Sequence, residues 1–169
     1  MSSVLTVGRR VLLVDLDDTL YDYAVAESPA TDQLLAAVAS EAGLALADAR
    51  RLWEDSREAV KLRLGSVGSS HSRLLYLSEL VHTAGRPDLL GRVRAWERTF
   101  WTTFVAQARL RQGAQQLLAG WRERGGRTAV VTDLILEVQL WKLETLGLLR
   151  WIDAVAASEE VAGDKPAPA

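Results

Sequence analysis

With 169 residues, the chain is long enough for one domain, or for one domain that carries an insertion. Hydrophobic residues make up 49% and charged residues 25%, the balance of a folded globular protein rather than a disordered one, and a net charge of −2 excludes a nucleic-acid binder driven by bulk electrostatics. The chain has no cysteine, so a disulfide framework, a thiolate metal site and a thiol nucleophile are all excluded, and the cytoplasm is the expected compartment.

Arg9 and Arg10 precede the apolar run VLLV, but Asp15, Asp17 and Asp18 end that run at once. The segment is therefore not expected to act as a signal sequence, and no segment is expected to span a membrane. His71 and His82 are too few and too far apart for a His-rich metal site. Among the 20 basic residues only Lys61, Lys142 and Lys165 are lysines, so each is a Lys retained against a strong bias toward Arg.

The first predicted element is a strand at VLLV (11–14). Four apolar residues without a polar break read as a strand buried on both faces, with Asp15 and Asp17 emerging at its C-terminal end. About eighty helical residues follow. Pro29, Thr31 and Asp32 supply start signals for a helix through LLAAVASEAG, and a second, amphipathic helix runs from about Asp48 to Leu64, broken by Gly65. GSVGSS reads as a loop, and the helix HSRLLYLSELVHTA stops at Gly85. Pro87 then starts a longer helix whose apolar positions, Leu90, Val93, Trp96, Phe100, Trp101 and Phe104, are spaced for core packing rather than for a ligand box. The last segments are a helix QQLLAGWRER ending at Gly125 and Gly126, a strand RTAVVT, a helix from about Leu134 to Leu146, and a strand from about Asp153 to Ala157. Strand, helix, strand at these lengths is a right-handed unit with parallel strands. The chain reads as a parallel α/β core with a helical module inserted after the first strand.

The chemistry concentrates at one edge of that sheet. Two carboxylates two residues apart, beside the hydroxyl of Thr19, suit a site where one attacks an electrophile or binds a cation and the other moves a proton, although Asp and Thr after a strand also serve as turn or helix caps. Thr132 ends the second strand as Asp15 ends the first, and Lys165, after the third strand, is placed to reach the same crevice. A nucleophile, an acid/base, a hydroxyl donor and a fixed positive charge are the parts needed to hold a phosphoryl group.

On these residues the chain resembles the haloacid dehalogenase (HAD) superfamily of hydrolases. Asp15-Leu16-Asp17-Asp18-Thr19 is similar to the family's first motif, Thr132 to its second and Lys165-Pro166 to its third. SSHSRLLYL, LRQGAQQLLAGWRERGGRTAVVTD and QLWKLETLGLLRWIDAVAASEEVAGDKPAP resemble members with a small helical cap of the C1 type.

The resemblance implies a Rossmann-like parallel core from residues 1–21 and 108–169 and a helical cap from 22–107. It implies a Mg²⁺-dependent phosphomonoesterase acting on a small phosphorylated metabolite, with Asp15 as nucleophile, Asp17 as acid/base, and Thr132, Asp133 and Lys165 around the phosphate. Mg²⁺ would be held by Asp15, the main-chain carbonyl of Asp17, waters and one further acid, which the family's fourth motif supplies. Arg63, His71 and Arg73 flank the Gly/Ser loop of the cap and are candidates for substrate selection, or else surface helix residues.

The family's fourth, acidic motif follows a fourth strand beyond the Lys-Pro segment, and this chain ends four residues after Lys165. The core is thus expected to be incomplete and truncated, with the first strand left as an apolar edge open to self-association or to a partner chain, and with activity of the short chain in question. Asp164 is the nearest acid that could stand in. The alternative is a non-catalytic descendant that binds a partner through the cap and the open edge. A phosphoaspartyl receiver domain is disfavoured, because its phosphorylated Asp follows a third strand and the nearest candidate here, Asp55, lies within a charged helix. Asp18 is expected to cap or face solvent, Lys142 and Glu144 to lie on a solvated helix face, and the six tryptophans to pack.

Overall fold

The computed structural model describes residues 10–160 and Lys165. Among them, three parallel strands form one sheet in the order β1 (Val11–Val14), β2 (Arg127–Thr132), β3 (Ala154–Ala157). Val11 is in register with Arg127 and Ala129 with Ala154. Because the strands run parallel, Asp15, Thr132 and Ser158 all fall at one edge, the edge at which α/β sheets place their chemistry. Asp164 and Pro166, the remaining parts of the Lys-Pro segment read from the sequence, lie outside the described residues.

Between β1 and β2 the chain forms four long helices: α1 (Tyr23–Ala42), α2 (Leu46–Leu64), α3 (Arg73–Thr83) and α4 (Val93–Gln107). Helix α1 packs along α4, and α2 along α3, around Leu34, Trp53, Tyr76, Trp96, Phe100 and Phe104, all nearly inaccessible. The aromatic rings meet mostly edge-on or tilted, as Phe100 does with Trp101 at 4.8 Å between centroids. The chain enters and leaves this helical bundle side by side: Arg111 N donates to Leu20 O at 2.9 Å, and Tyr21 bridges to Leu110. Helix α5 (Ala114–Glu123) then leads into β2, and α6 (Leu136–Thr145) crosses from β2 to β3.

Several expectations need correction. The first helix does not start near Thr31 but at Tyr23, where Asp18 Oδ1 accepts a hydrogen bond from the Tyr23 amide at 2.9 Å and satisfies one of the open N–H groups of the first turn. Pro29 therefore lies inside α1, beyond its first turn, where it has no N–H to donate to Val25 O. Pro87 opens a short 3-10 segment, Pro87–Arg92, rather than α4 itself, and Leu90 on it is 58% exposed rather than in the core. Strand β1 is not buried on both faces. Val11 and Leu13 are 54% and 66% exposed, because β1 is an edge strand and no described residue covers that side.

One contact joins the helical bundle to the sheet at close range. Gly68, in the 3-10 segment Gly68–His71, packs against the backbone of Glu159 just after β3. A Cβ at Gly68 would lie 2.7 Å from Glu159 N.

Candidate active site

Asp15 is the first residue beyond β1 and sits where the sheet edge is open. Lys165 Nζ donates to its Oδ1 at 2.7 Å, and Thr19 Oγ1 donates to its Oδ2 at 3.3 Å. The Lys165 ammonium also donates to Val131 O at 3.1 Å and lies 3.8 Å from Asp133 Oδ2, while its main-chain N–H donates to Asp133 Oδ1 at 3.0 Å. Asp133 thus ties the turn after β2 to Lys165. Asp15 and Lys165 are both more than a third exposed, so a ligand can reach them.

Asp17, two residues on, is held differently. Lys142 Nζ, on α6, donates to both carboxylate oxygens at 2.9 and 3.0 Å, Tyr21 OH donates to Oδ1, and Gln139 Nε2 donates to Oδ2 at 3.3 Å. Gln139 also donates to Thr132 Oγ1 and, at 3.1 Å, to Asp133 O. One carboxamide therefore links the loop after β1 to the loop after β2, and Thr132, itself buried, is fixed by it. Asp18, with φ 59°, turns the chain between this clamp and α1 in the left-handed region that Asp tolerates better than most side chains.

The placement of Lys142 overturns the expected solvated helix face. Its side chain has no exposure, whereas Glu144, two residues on, is exposed. The ammonium lies 5.1 to 5.8 Å from the ring centres of Tyr21, Tyr23, Trp101 and Phe104, a cage whose electron-rich faces replace part of its lost hydration. Burial pushes the Lys142 ammonium down to about 8 from its ordinary value, and Asp17 works against that fall. Burial and the neighbouring Asp17 carboxylate push the Tyr21 phenol far above its ordinary range, so Tyr21 stays a hydrogen-bond donor. Trp101 and Phe104 belong to α4, so the helical bundle supplies part of the surroundings of Asp17.

A crevice of about 280 Å³ opens beside Asp17, Asp18 and Asp133 and extends to Arg57, Lys61 and His71. Of the three cap residues singled out from sequence, His71 and Arg73 both line it. Arg73 is nearly inaccessible all the same, donating to Tyr23 OH, to Glu27 Oε1 at 3.2 Å and to His71 O at 2.9 Å, over the rings of Phe100 and Trp101. These contacts also tie α1 to α3 at the crevice wall. Arg63 is not among the lining residues; it pairs with Glu79 at 3.0 Å on the outer surface. Sequence reading missed Arg57, Lys61, Gln139 and Lys142.

Among the described residues no three carboxylate or imidazole groups converge as a closed metal centre. A hard divalent ion that keeps its waters needs only one or two carboxylates plus phosphate oxygens, and the accessible Asp15 carboxylate with the neighbouring main-chain oxygens meets that demand. Asp17 offers its carbonyl rather than its carboxylate, which Lys142, Tyr21 and Gln139 occupy.

Among solved structures, the chain is similar to a 2-haloacid dehalogenase from Pseudomonas syringae (21% identity, 90% of this chain and 65% of that one, TM-score 0.68). It is also similar to a HAD phosphatase from Thermococcus onnurineus (19%, 95% and 66%, TM-score 0.65). A third similar structure is the putative HAD-hydrolase YfnB from Bacillus subtilis, bound to magnesium (21%, 94% and 69%, TM-score 0.59). At these identities the likeness establishes the fold, a parallel α/β core with an inserted helical region. Among characterised proteins, a ribulose-1,5-bisphosphate 5-phosphatase from Halopiger xanaduensis is 33% identical over 162 residues, which cover 92% of this chain and 66% of that protein's length. The model of the haloacid dehalogenase-like hydrolases matches residues 10–169, and the chain belongs to that family.

Proposed function

We propose that the protein hydrolyses a phosphomonoester of a small metabolite through an aspartyl-phosphate on Asp15. The observation that carries this reading is the junction of Asp15 and Lys165, 2.7 Å apart at the open sheet edge, with Thr132 at the end of the adjacent strand. A carboxylate poised beside a fixed ammonium is a nucleophile next to the charge that a phosphoryl group requires.

Asp15 attacks phosphorus in line, and the bond from phosphorus to the ester oxygen breaks with its electron pair going to that oxygen. Asp17 delivers the proton that the leaving oxygen takes, and the Lys142 ammonium, which donates to both Asp17 oxygens, supplies that proton and recovers it in the second half of the reaction. Water then attacks the aspartyl-phosphate and gives a proton to Asp17, the bond from phosphorus to the Asp15 oxygen breaks, and inorganic phosphate leaves with the Asp15 carboxylate restored. Lys165 and the Thr132 hydroxyl hold the phosphoryl oxygens, and Asp133 positions Lys165. Asp17 suits proton traffic because Lys142, Tyr21 and Gln139 fix its orientation, so only the proton moves. Mg²⁺, carried by Asp15 and the Asp17 carbonyl, would supply neutralisation of the phosphoryl charge.

The reading is supported by family membership and by the phosphatase relative, and it is tested with p-nitrophenyl phosphate, with Mg²⁺ and with a chelator, on the wild type and Asp15→Asn. Metal-dependent turnover that Asp15→Asn abolishes is expected. Turnover that survives this change, or none from the wild type, would overturn the reading.

A further inference from the structure

Away from the crevice beside Asp17, a second cleft of about 500 Å³ lies between α4 and α6. The two hollows share no lining residue. The wall of the second is apolar and aromatic, built by Leu74, Trp101, Ile135 and Trp141, all buried or half-buried. Its rim carries charges of both signs: Arg94, Glu97 and Arg98 stand on α4, and Glu137 stands on α6.

These four charges do not neutralise one another. Among the described residues none of them makes an ion pair within 4 Å, although Arg94 and Glu97 are three residues apart on one helix, a spacing at which such pairs meet. Burial, and then the Glu137 carboxylate, push the Glu97 carboxyl above its ordinary range, against the pull of Arg94. Trp101 Nε1 is buried close to Glu97, yet no hydrogen bond of good geometry joins them, so the Glu97 carboxylate is not committed. The first turn of α6 favours an anion at Glu137 through the helix dipole. That does not account for a second carboxylate on α4, half-buried in an apolar cleft.

We infer that the cleft between α4 and α6 binds a free α-amino acid with an apolar side chain, at a site separate from the one around Asp15. The ammonium of such a ligand fits between Glu97 and Glu137, its carboxylate takes the Arg94 or Arg98 guanidinium, and its side chain covers the indoles of Trp101 and Trp141. A volume of about 500 Å³ falls in the range of small-molecule sites and holds an amino acid with its bridging waters. The wall is fixed from behind, because the Trp101 ring packs against the Arg73 guanidinium at 5.1 Å and the Lys142 ammonium at 5.4 Å. A ligand that spans α4 and α6 needs the folded arrangement of both, so its binding stabilises the folded chain. The inference does not rest on the phosphatase reading.

The test is calorimetric titration of the full chain with L-phenylalanine and L-leucine, and with phenethylamine and 3-phenylpropanoate, which keep the phenylalanine body but carry only the positive or only the negative charge. At least one amino acid should bind about tenfold or more tightly than both single-charge probes, the gain of one further charge-assisted hydrogen bond, and should raise the midpoint of thermal unfolding. Glu97→Gln should weaken amino-acid binding about tenfold without weakening 3-phenylpropanoate. Arg94→Met with Arg98→Met should weaken it as much without weakening phenethylamine. Arg51→Met, on the exposed side of α2, should alter neither. Binding of neither amino acid, no advantage over the single-charge probes, or an advantage that survives the changes at Glu97 and at both arginines would overturn the site.

Discussion

Replacing Asp17 by Asn should make the protein acid-sensitive in a pH range where the wild type is not. Lys142 has no exposure, and among the described residues the carboxylate it pairs with is Asp17, at 2.9 Å. In the wild type the folded-state value of Lys142 is about 8, so between pH 5 and 7 the residue carries its proton in both folded and unfolded chains and contributes no slope. In Asp17→Asn the main influence opposing desolvation is gone, the folded-state value falls further, and Lys142 enters the neutral range unprotonated. The unfolded chain then binds one proton more than the folded one, so stability rises with pH and falls as pH drops, by up to about 1.4 kcal/mol per pH unit.

Relative to the wild type, Asp17→Asn should lose about 1–2 kcal/mol at pH 7 and a further 1–3 kcal/mol by pH 5. Urea unfolding at half-unit pH intervals measures this. The double variant Asp17→Asn, Lys142→Met should show no extra slope and recover much of the loss, because a methionine in the aromatic cage leaves no ion to bury. Parallel stability curves for wild type and Asp17→Asn between pH 5 and 7, or an undiminished slope in the double variant, would refute the account of Lys142 as a buried cation held by Asp17.

Lys165→Met should change stability by less than about 0.5 kcal/mol, since its ion pair with Asp15 is more than a third exposed, while phosphatase turnover falls at least a hundredfold; thermal unfolding and steady-state kinetics on one preparation check the split. Gly68→Ala should cost about 1–3 kcal/mol by urea unfolding, because the new methyl meets Glu159 backbone rather than a side chain that can turn aside. Gln139→Leu, which removes the link between Asp17 and Thr132, should lower kcat more than it raises KM for p-nitrophenyl phosphate.

The strands, the helices α1 to α6 and the placing of Asp15, Thr132 and Lys165 at one sheet edge were legible because they depend on local pattern and on the rule that parallel strands present their ends at one edge. The start of α1 was not, because its cap is Asp18, five residues ahead in a turn, whereas Pro29 is a louder but misplaced signal. Lys142 was legible in part. Along α6 the apolar residues Ile135, Val138, Leu143 and Leu146 mark the inward arc, and Gln139 and Lys142 fall on that same arc, so period alone places both inside. Charge argued the other way and was the weaker guide, since a partner carboxylate 125 residues distant cannot be read from helical spacing. All three lysines kept against the Arg bias border the crevice or the carboxylates beside it: Lys61, Lys142 and Lys165. The half-exposed β1 escaped because an apolar run states what a strand can cover, not what the chain supplies to cover it.

The paired entry and exit at Leu20 and Arg111 also bear on the order of assembly. Strand β1 must find β2 across more than a hundred residues, from Val11 to Arg127, whereas β2 and β3 are about 25 apart. Closing the longer loop costs roughly 4 kcal/mol of chain entropy if the intervening residues are unstructured, against roughly 3 for the shorter. Once α1 to α4 have formed a bundle, the bond between Leu20 and Arg111 brings the two flanks together and most of that length no longer counts. The unit β2, α6, β3 can therefore form on its own, while β1 waits on the bundle. The segment bearing Asp15 and Asp17 is then among the last to be seated, so a chain that stalls in folding lacks the Asp15–Lys165 junction before it lacks most of its helices.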